Sequence, residues 1–252
     1  MYESTKVLVR NLQELPSIFE KDHVQDLIWH LQIMRQNSDF AWYNVATIAM
    51  DPWLREKNVK TVRPFPYWGE NEKKVSDHEL SIIVPYLDVE QSKMHFCVEE
   101  VYSVCDLGMD AVMDQDERSP IQNAIQASGF SEVVSHLKEG WAGNLVDSWM
   151  MKNLYYQNVS PEEKSFLRTC FLLVYGKTLG IDHSVHKSDL ILKKERIDAI
   201  GLYKALHHLI CDFPGMFAVW VAQMRKDHKE RSSKHRSNLG RATMQAIRGG
   251  LS

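Results

Sequence analysis

Apolar positions along the chain recur mostly at helical rather than alternating spacing. Met94, Cys97, Val98, Val101, Val104 and Cys105 follow this spacing after Asp88–Gln91, whose end residues can close a capping box, and together they predict a helix over 89–107. Ser119-Pro120-Ile121-Gln122 offers the same cap with proline in the first turn, and Gly129 supplies a stop. Ser160-Pro161-Glu162-Glu163 repeats the device and starts a helix running to about Thr178, with Gly180 beyond it. Further helices are expected at 17–35, 76–84, 131–139, 144–157, 195–212 and 216–231, with Pro85 and Pro214 limiting two of them. Ser81–Leu87 could be a short strand, but Pro85 and the Ser76/Glu79 cap favour a helical turn there. Residues 51–74 read as a long ordered loop, since four aromatic residues (Trp53, Phe65, Tyr67, Trp68) lie among Pro52, Pro64, Pro66 and Gly69.

The pattern predicts an all-α protein of two packed helical lobes, 1–115 and 119–231, with a basic helical extension at 232–252. Composition agrees with a globular chain: of 252 residues, 44% are hydrophobic and 25% charged, enough to bury a sizeable core. Cys97, Cys105, Cys170 and Cys211 include no Cys-x-x-Cys pair, and the first residues lack the apolar core of a signal peptide, so a reducing compartment is expected. No uninterrupted apolar run is long enough to span a bilayer, which makes any membrane role peripheral.

Charge changes this picture more than composition does. The formal net charge of −3 divides into eight basic and two acidic residues over 225–252, or +6, and 22 basic and 31 acidic residues over 1–224, or −9. An acidic body with a basic end can bind a polyanion, an anionic membrane or another copy of itself. The cations Arg225, Lys226, Lys229, Arg231, Lys234, Arg236 and Arg241 follow directly on the apolar run from Met216 to Val221, which aligns them along the continuation of a helix. This segment contains no aromatic residue, so contact with RNA would be to phosphate rather than by base stacking.

Other motifs carry less. Gly176-Lys177-Thr178 resembles the end of a phosphate-binding loop, but Phe171 stands where that loop requires glycine. No Gly-x-Ser-x-Gly, His-Glu-x-x-His or dinucleotide fingerprint occurs, so neither an enzyme, a cofactor nor a small-molecule substrate is expected. His207 and Cys211, one helical turn apart and preceded by His183 and His186, offer zinc donors at a spacing that matches no zinc pattern, and core positions are the expected reading. Asp106, Asp110 and Asp114 recur every four residues, a carboxylate ladder that fits a solvated face or the docking of a basic partner better than a metal site. Arg225, Lys229, Lys234 and Arg236 meeting this ladder on a neighbouring copy would give a head-to-tail polymer.

The segment LICDFPGMFAVWVAQMRKDHKERSSKHRSN resembles the late helix of orthomyxovirus matrix proteins, where a loop, an apolar helix and a basic His-Arg-Ser stretch follow one another. Residues 118–130, RSPIQNAIQASGF, are similar to that family's mid-chain Gln-Asn-Ala helix. Together the two segments cover about a sixth of the chain. The resemblance implies a two-lobed helical structural protein that polymerises beneath a viral envelope, links anionic lipid to the ribonucleoprotein, and visits the host cytoplasm and nucleus. It also implies that Lys193, Lys194 and Arg196 correspond to a basic mid-domain helix. Zinc binding does not carry over, because no cysteine stands near Ala218 or Val221. A sequence-independent RNA-binding nucleoprotein, or a cellular helical adaptor for a protein partner, remain the alternatives.

Overall fold

The computed structural model describes residues 3–64, 66–67, 75–88, 93–104, 159–176, 179, 186–192, 197–224, 226–227 and 229–230. The chain divides into two compact units, one formed by residues 1–117 and 142–213 and the other by 118–141 and 214–252. In the first unit, α1 (Glu3–Glu14) leads through two short 3-10 turns into α2 (Val24–Gln36). Leu27, His30, Leu31 and Met34 are buried at helical spacing on α2, and Trp29 and Ile33 widen that stripe, so α2 is enclosed by neighbours. It packs against α3 (Trp42–Ala49), α5 (Pro161–Tyr175) and α6 (Ala199–Cys211).

The helix ends follow from local chemistry. Asp51 caps α4 (Pro52–Glu56) by accepting the Leu54 N–H at 2.9 Å, with Pro52 in the first turn. Asn58 closes α4 in the left-handed region (φ 55°), which lets the Val59 N–H reach the Leu54 carbonyl at 2.8 Å. The capping box expected before α5 is present: Ser160 Oγ accepts from the Glu163 N–H at 3.3 Å, and Glu163 Oε2 accepts from the Ser160 N–H at 2.7 Å. Asp198 caps α6 through the Gly201 N–H at 2.9 Å, and a β-carbon at 201 would collide with that carboxylate.

The all-α class is overturned. Residues expected as helices over 76–84 and 89–107 instead form two long antiparallel strands, β2 (Val75–Asp88) and β3 (Lys93–Val104), joined by β1 (Arg63–Pro64) in a sheet of order β1-β3-β2. Register runs from Asp88↔Lys93 through Pro85↔Phe96 and Ile83↔Val98 to Glu79↔Tyr102, with an irregularity between Val75 and Glu79. Apolar side chains lie on both faces of β3, with Met94, Phe96 and Val98 on one and Cys97 and Val101 on the other. That doubling erases the alternation by which a strand is recognised and produces spacing that imitates a helix. Asp88 ends β2 opposite Lys93 instead of capping a helix, Gln91 lies outside the described residues, and Pro85 is tolerated because β2 is an edge strand of the described sheet. The 51–74 stretch holds α4 and β1; within it Trp53 is half-buried and stacked on His78 at 4.5 Å, whereas Tyr67 is exposed.

Two asparagines fasten the sheet to the helices. Asn37, wholly buried just past α2, donates to the Ile33 carbonyl at 2.9 Å and the Lys60 carbonyl at 2.7 Å, and its oxygen accepts from the Val62 N–H at 3.1 Å and Arg63 Nη1 at 3.0 Å. Asn44 of α3 donates to the Ile83 carbonyl at 2.8 Å and accepts from the Ile83 N–H at 2.9 Å, so its amide pairs with β2 as a neighbouring strand would. Asn37→Ala should destabilise the protein by about 3 kcal/mol in urea unfolding, since it strands several buried backbone groups and the Arg63 guanidinium. A loss under 1 kcal/mol would show that the junction does not carry this weight.

Candidate functional site

Of the cations singled out in the sequence, the structure describes Lys226 and Lys229. Residues 213–224, 226–227 and 229–230 are helical, and both lysines are exposed there, beside the Gln223 amide that donates to Asp227 at 2.8 Å. Phe217 and Val221 are buried while Val219 is exposed, so this helix is two-faced. Arg225, Arg231, Lys234, Arg236 and Arg241 lie outside the described residues, as do Lys193, Lys194, Arg196 and the ladder Asp106, Asp110 and Asp114. By length and composition the helical stretch Ala199–Met224 is apolar enough to cross a membrane, with half of its most apolar window buried inside the protein.

The most unusual surface lies on the hairpin and was missed in the sequence. On β3, Met94, Phe96 and Val98 are 60%, 67% and 49% exposed, one apolar stripe at alternate positions. Their register partners on β2 are Leu87, Pro85 and Ile83. Toward the helical core the stripe gives way to Glu100 and Tyr102, whose hydroxyl shares its one proton between Glu100 at 3.1 Å and Glu79 at 3.2 Å. Burial and these two carboxylates push the Tyr102 phenol up to about 12. Beyond the two residues that pair with β1, the outer edge of β3 from Lys93 to Glu100 has no partner strand among the described residues.

A second cluster gathers ionisable groups around a cavity of about 180 Å³ beside the start of α2. His23 Nδ1 and Asp26 Oδ2 are 2.6 Å apart, and Arg55 of α4 binds the other Asp26 oxygen. Burial pulls the Asp26 carboxyl upward, but the hydrogen bonds from His23 and Arg55 outweigh it and hold the group below the usual carboxylate range. The same bond to Asp26 raises His23. Ser17 also lines the cavity, yet its hydroxyl donates to the Glu14 carbonyl at 2.8 Å, so it forms no relay with His23. This arrangement joins α2 to α4 as an ion-paired clamp.

His207 and Cys211 are engaged in the core. His207 Nε2 donates to the Phe40 carbonyl at 2.9 Å and Cys211 Sγ to the Met34 carbonyl at 3.4 Å, and no group of three or more metal-ligating side chains occurs among the described residues. His30 Nδ1 meets the Tyr203 hydroxyl at 3.0 Å, both side chains being buried. Comparison with known proteins finds no matching family model, no matching curated protein and no matching solved structure.

Two buried histidines set the pH response. Burial lowers His30 to about 3 and His207 to about 4, the latter against the raising effect of the Phe40 carbonyl. Each group binds a proton more readily in the unfolded chain, so stability is complete above pH ~6.5 and falls as pH drops toward these values. At pH 5 the loss should be about 2 kcal/mol for each histidine relative to pH 7.5, opposed by a smaller gain from the half-exposed His23. Urea unfolding at the two pH values checks this, and equal stability at both would refute neutral burial.

Proposed function

We propose that this chain is a structural, self-associating protein that binds anionic surfaces, in the manner of a viral matrix protein lying beneath an envelope. The observation that carries the reading is the hairpin. Its outer half exposes three large apolar side chains in a row on an ordered strand, a surface suited to another macromolecule rather than to a small substrate. Lys226 and Lys229, exposed on a helix that leads into the basic end, support attraction to phosphate-bearing surfaces. The partners on this reading are further copies of the chain, an anionic membrane and a viral ribonucleoprotein. The head-to-tail contact between the basic end and the Asp106/Asp110/Asp114 ladder belongs to the same proposal, with charge orienting copies that apolar contact holds.

Co-sedimentation with vesicles tests the surface. Vesicles containing phosphatidylserine should pellet the protein while phosphatidylcholine vesicles should not, and raised salt should release it. The double variant Lys226→Ala, Lys229→Ala should weaken this binding by about 2 kcal/mol, roughly thirty-fold, at about 1 kcal/mol for each cation. Binding to single-stranded RNA without binding to vesicles would overturn the membrane reading in favour of a nucleoprotein.

A further inference from the structure

We infer that two chains pair β3 against β3 in antiparallel fashion about a two-fold axis at Phe96, joining their hairpins into one continuous sheet. The inference deepens the self-association proposed above and is independent of the basic end.

The available length is set by the protein itself. β1 occupies the edge at Val101 and Tyr102, and the hairpin connection begins beyond Lys93, so among the described residues the open edge runs from Lys93 to Glu100. A two-fold axis perpendicular to the sheet keeps the same face upward in both copies, so it must pass through a residue rather than between two. Two registers give the longest pairing within that edge. Centred on Cys97, the pairing sets Met94 against the partner's Glu100 twice, an apolar side chain opposite a carboxylate. Centred on Phe96, it sets Lys93 against the partner's Glu99 twice, Met94 against the partner's Val98 twice, and Phe96 against its own copy.

Charge therefore selects the register. Lys93 and Glu99 lie on the same face of β3, opposite the apolar stripe, and among the described residues neither is engaged in an ion pair. Opposite charges placed directly across an antiparallel pair stabilise it, and aromatic and aliphatic pairs add to this. On the other face, Met94, Phe96 and Val98 of both copies form one apolar patch centred on the axis. The opposite side of the hairpin cannot serve in the same way. At β2 the Ile83 N–H and carbonyl are already taken by Asn44, and Pro85 has no N–H to give.

The test uses the full chain in solution, with mass measured by light scattering across a dilution series. A dimer is expected for the unaltered protein. Lys93→Glu and Glu99→Lys should each weaken it by about ten-fold or more, because each places like charges opposite one another, and the double variant should recover to within about three-fold of the parent. Phe96→Lys should yield a monomer whose circular dichroism and thermal midpoint match the parent. Register is read by His95→Cys under mild oxidation: position 95 then faces the partner's Cys97, at a Cα separation of about 5 Å that a disulfide tolerates, and a covalent dimer should form. A protein monomeric at every concentration overturns the inference, as does a dimer indifferent to the charge exchange, or one in which the native Cys97 cross-links to its own copy. Vesicle binding that persists in a monomeric protein would place the failure in this interface and not in the anionic-surface reading.

Discussion

The last turn of α2 leaves carbonyls with no helical partner, and the way they are satisfied governs how the sheet is joined to the helices. Arg63 Nη2 reaches the Gln36 carbonyl at 2.9 Å, while the Asn37 amide adds a second bond to the Ile33 carbonyl, which already accepts the Asn37 N–H at 3.0 Å. A guanidinium at the negative end of a helix is favourably placed, and Arg63 also bonds the Val62 carbonyl and lies 5.8 Å and 5.3 Å from the rings of Phe40 and Tyr67. The cation is almost wholly buried, so its hydrogen bonds are obligatory rather than optional. Because Arg63 is the first residue of β1, and β1 pairs with β3, this one cap fixes where the sheet starts relative to α2.

From that anchor the hairpin acquires two unlike edges. Asn44 and Pro85 blunt the β2 side, whereas among the described residues no strand pairs with the β3 side beyond β1. Open edges are hazards that proteins usually cover, charge or shorten. Here one edge is protected and the other combines length, apolar side chains and one lysine with two glutamates, Glu99 and Glu100, a composition that admits a matching strand and discriminates against most others.

Legibility in the sequence followed the range of the forces involved. The Ser160/Glu163 box and the helix after it were readable because every partner lies within four residues. The hairpin was not, because along β3 the apolar residues change face, from Met94, Phe96 and Val98 to Val101, and that change breaks the alternation by which strands are recognised. The joints at Asn37 and Asn44 were invisible for another reason: the backbone groups they bind on the sheet side stand 23 to 39 residues away, beyond the reach of any local pattern. The basic end was conspicuous as charge, but of that set the structure describes Lys226 and Lys229, so the sequence carries most of what is known of it.

The hydrogen bond between His30 and Tyr203 spans 173 residues of chain. During synthesis α2 leaves the ribosome long before α6 exists, and at roughly 5–20 residues per second the interval is on the order of 10–35 s. For most of that time Leu31, Ile33 and Met34, all buried in the finished protein, have neither α5 nor α6 to pack against. The nascent chain is thus obliged to hold a greasy helix unsatisfied for far longer than collapse itself requires, which makes it a natural client for chaperones that shield emerging polypeptides and ties its yield in a cell to their supply.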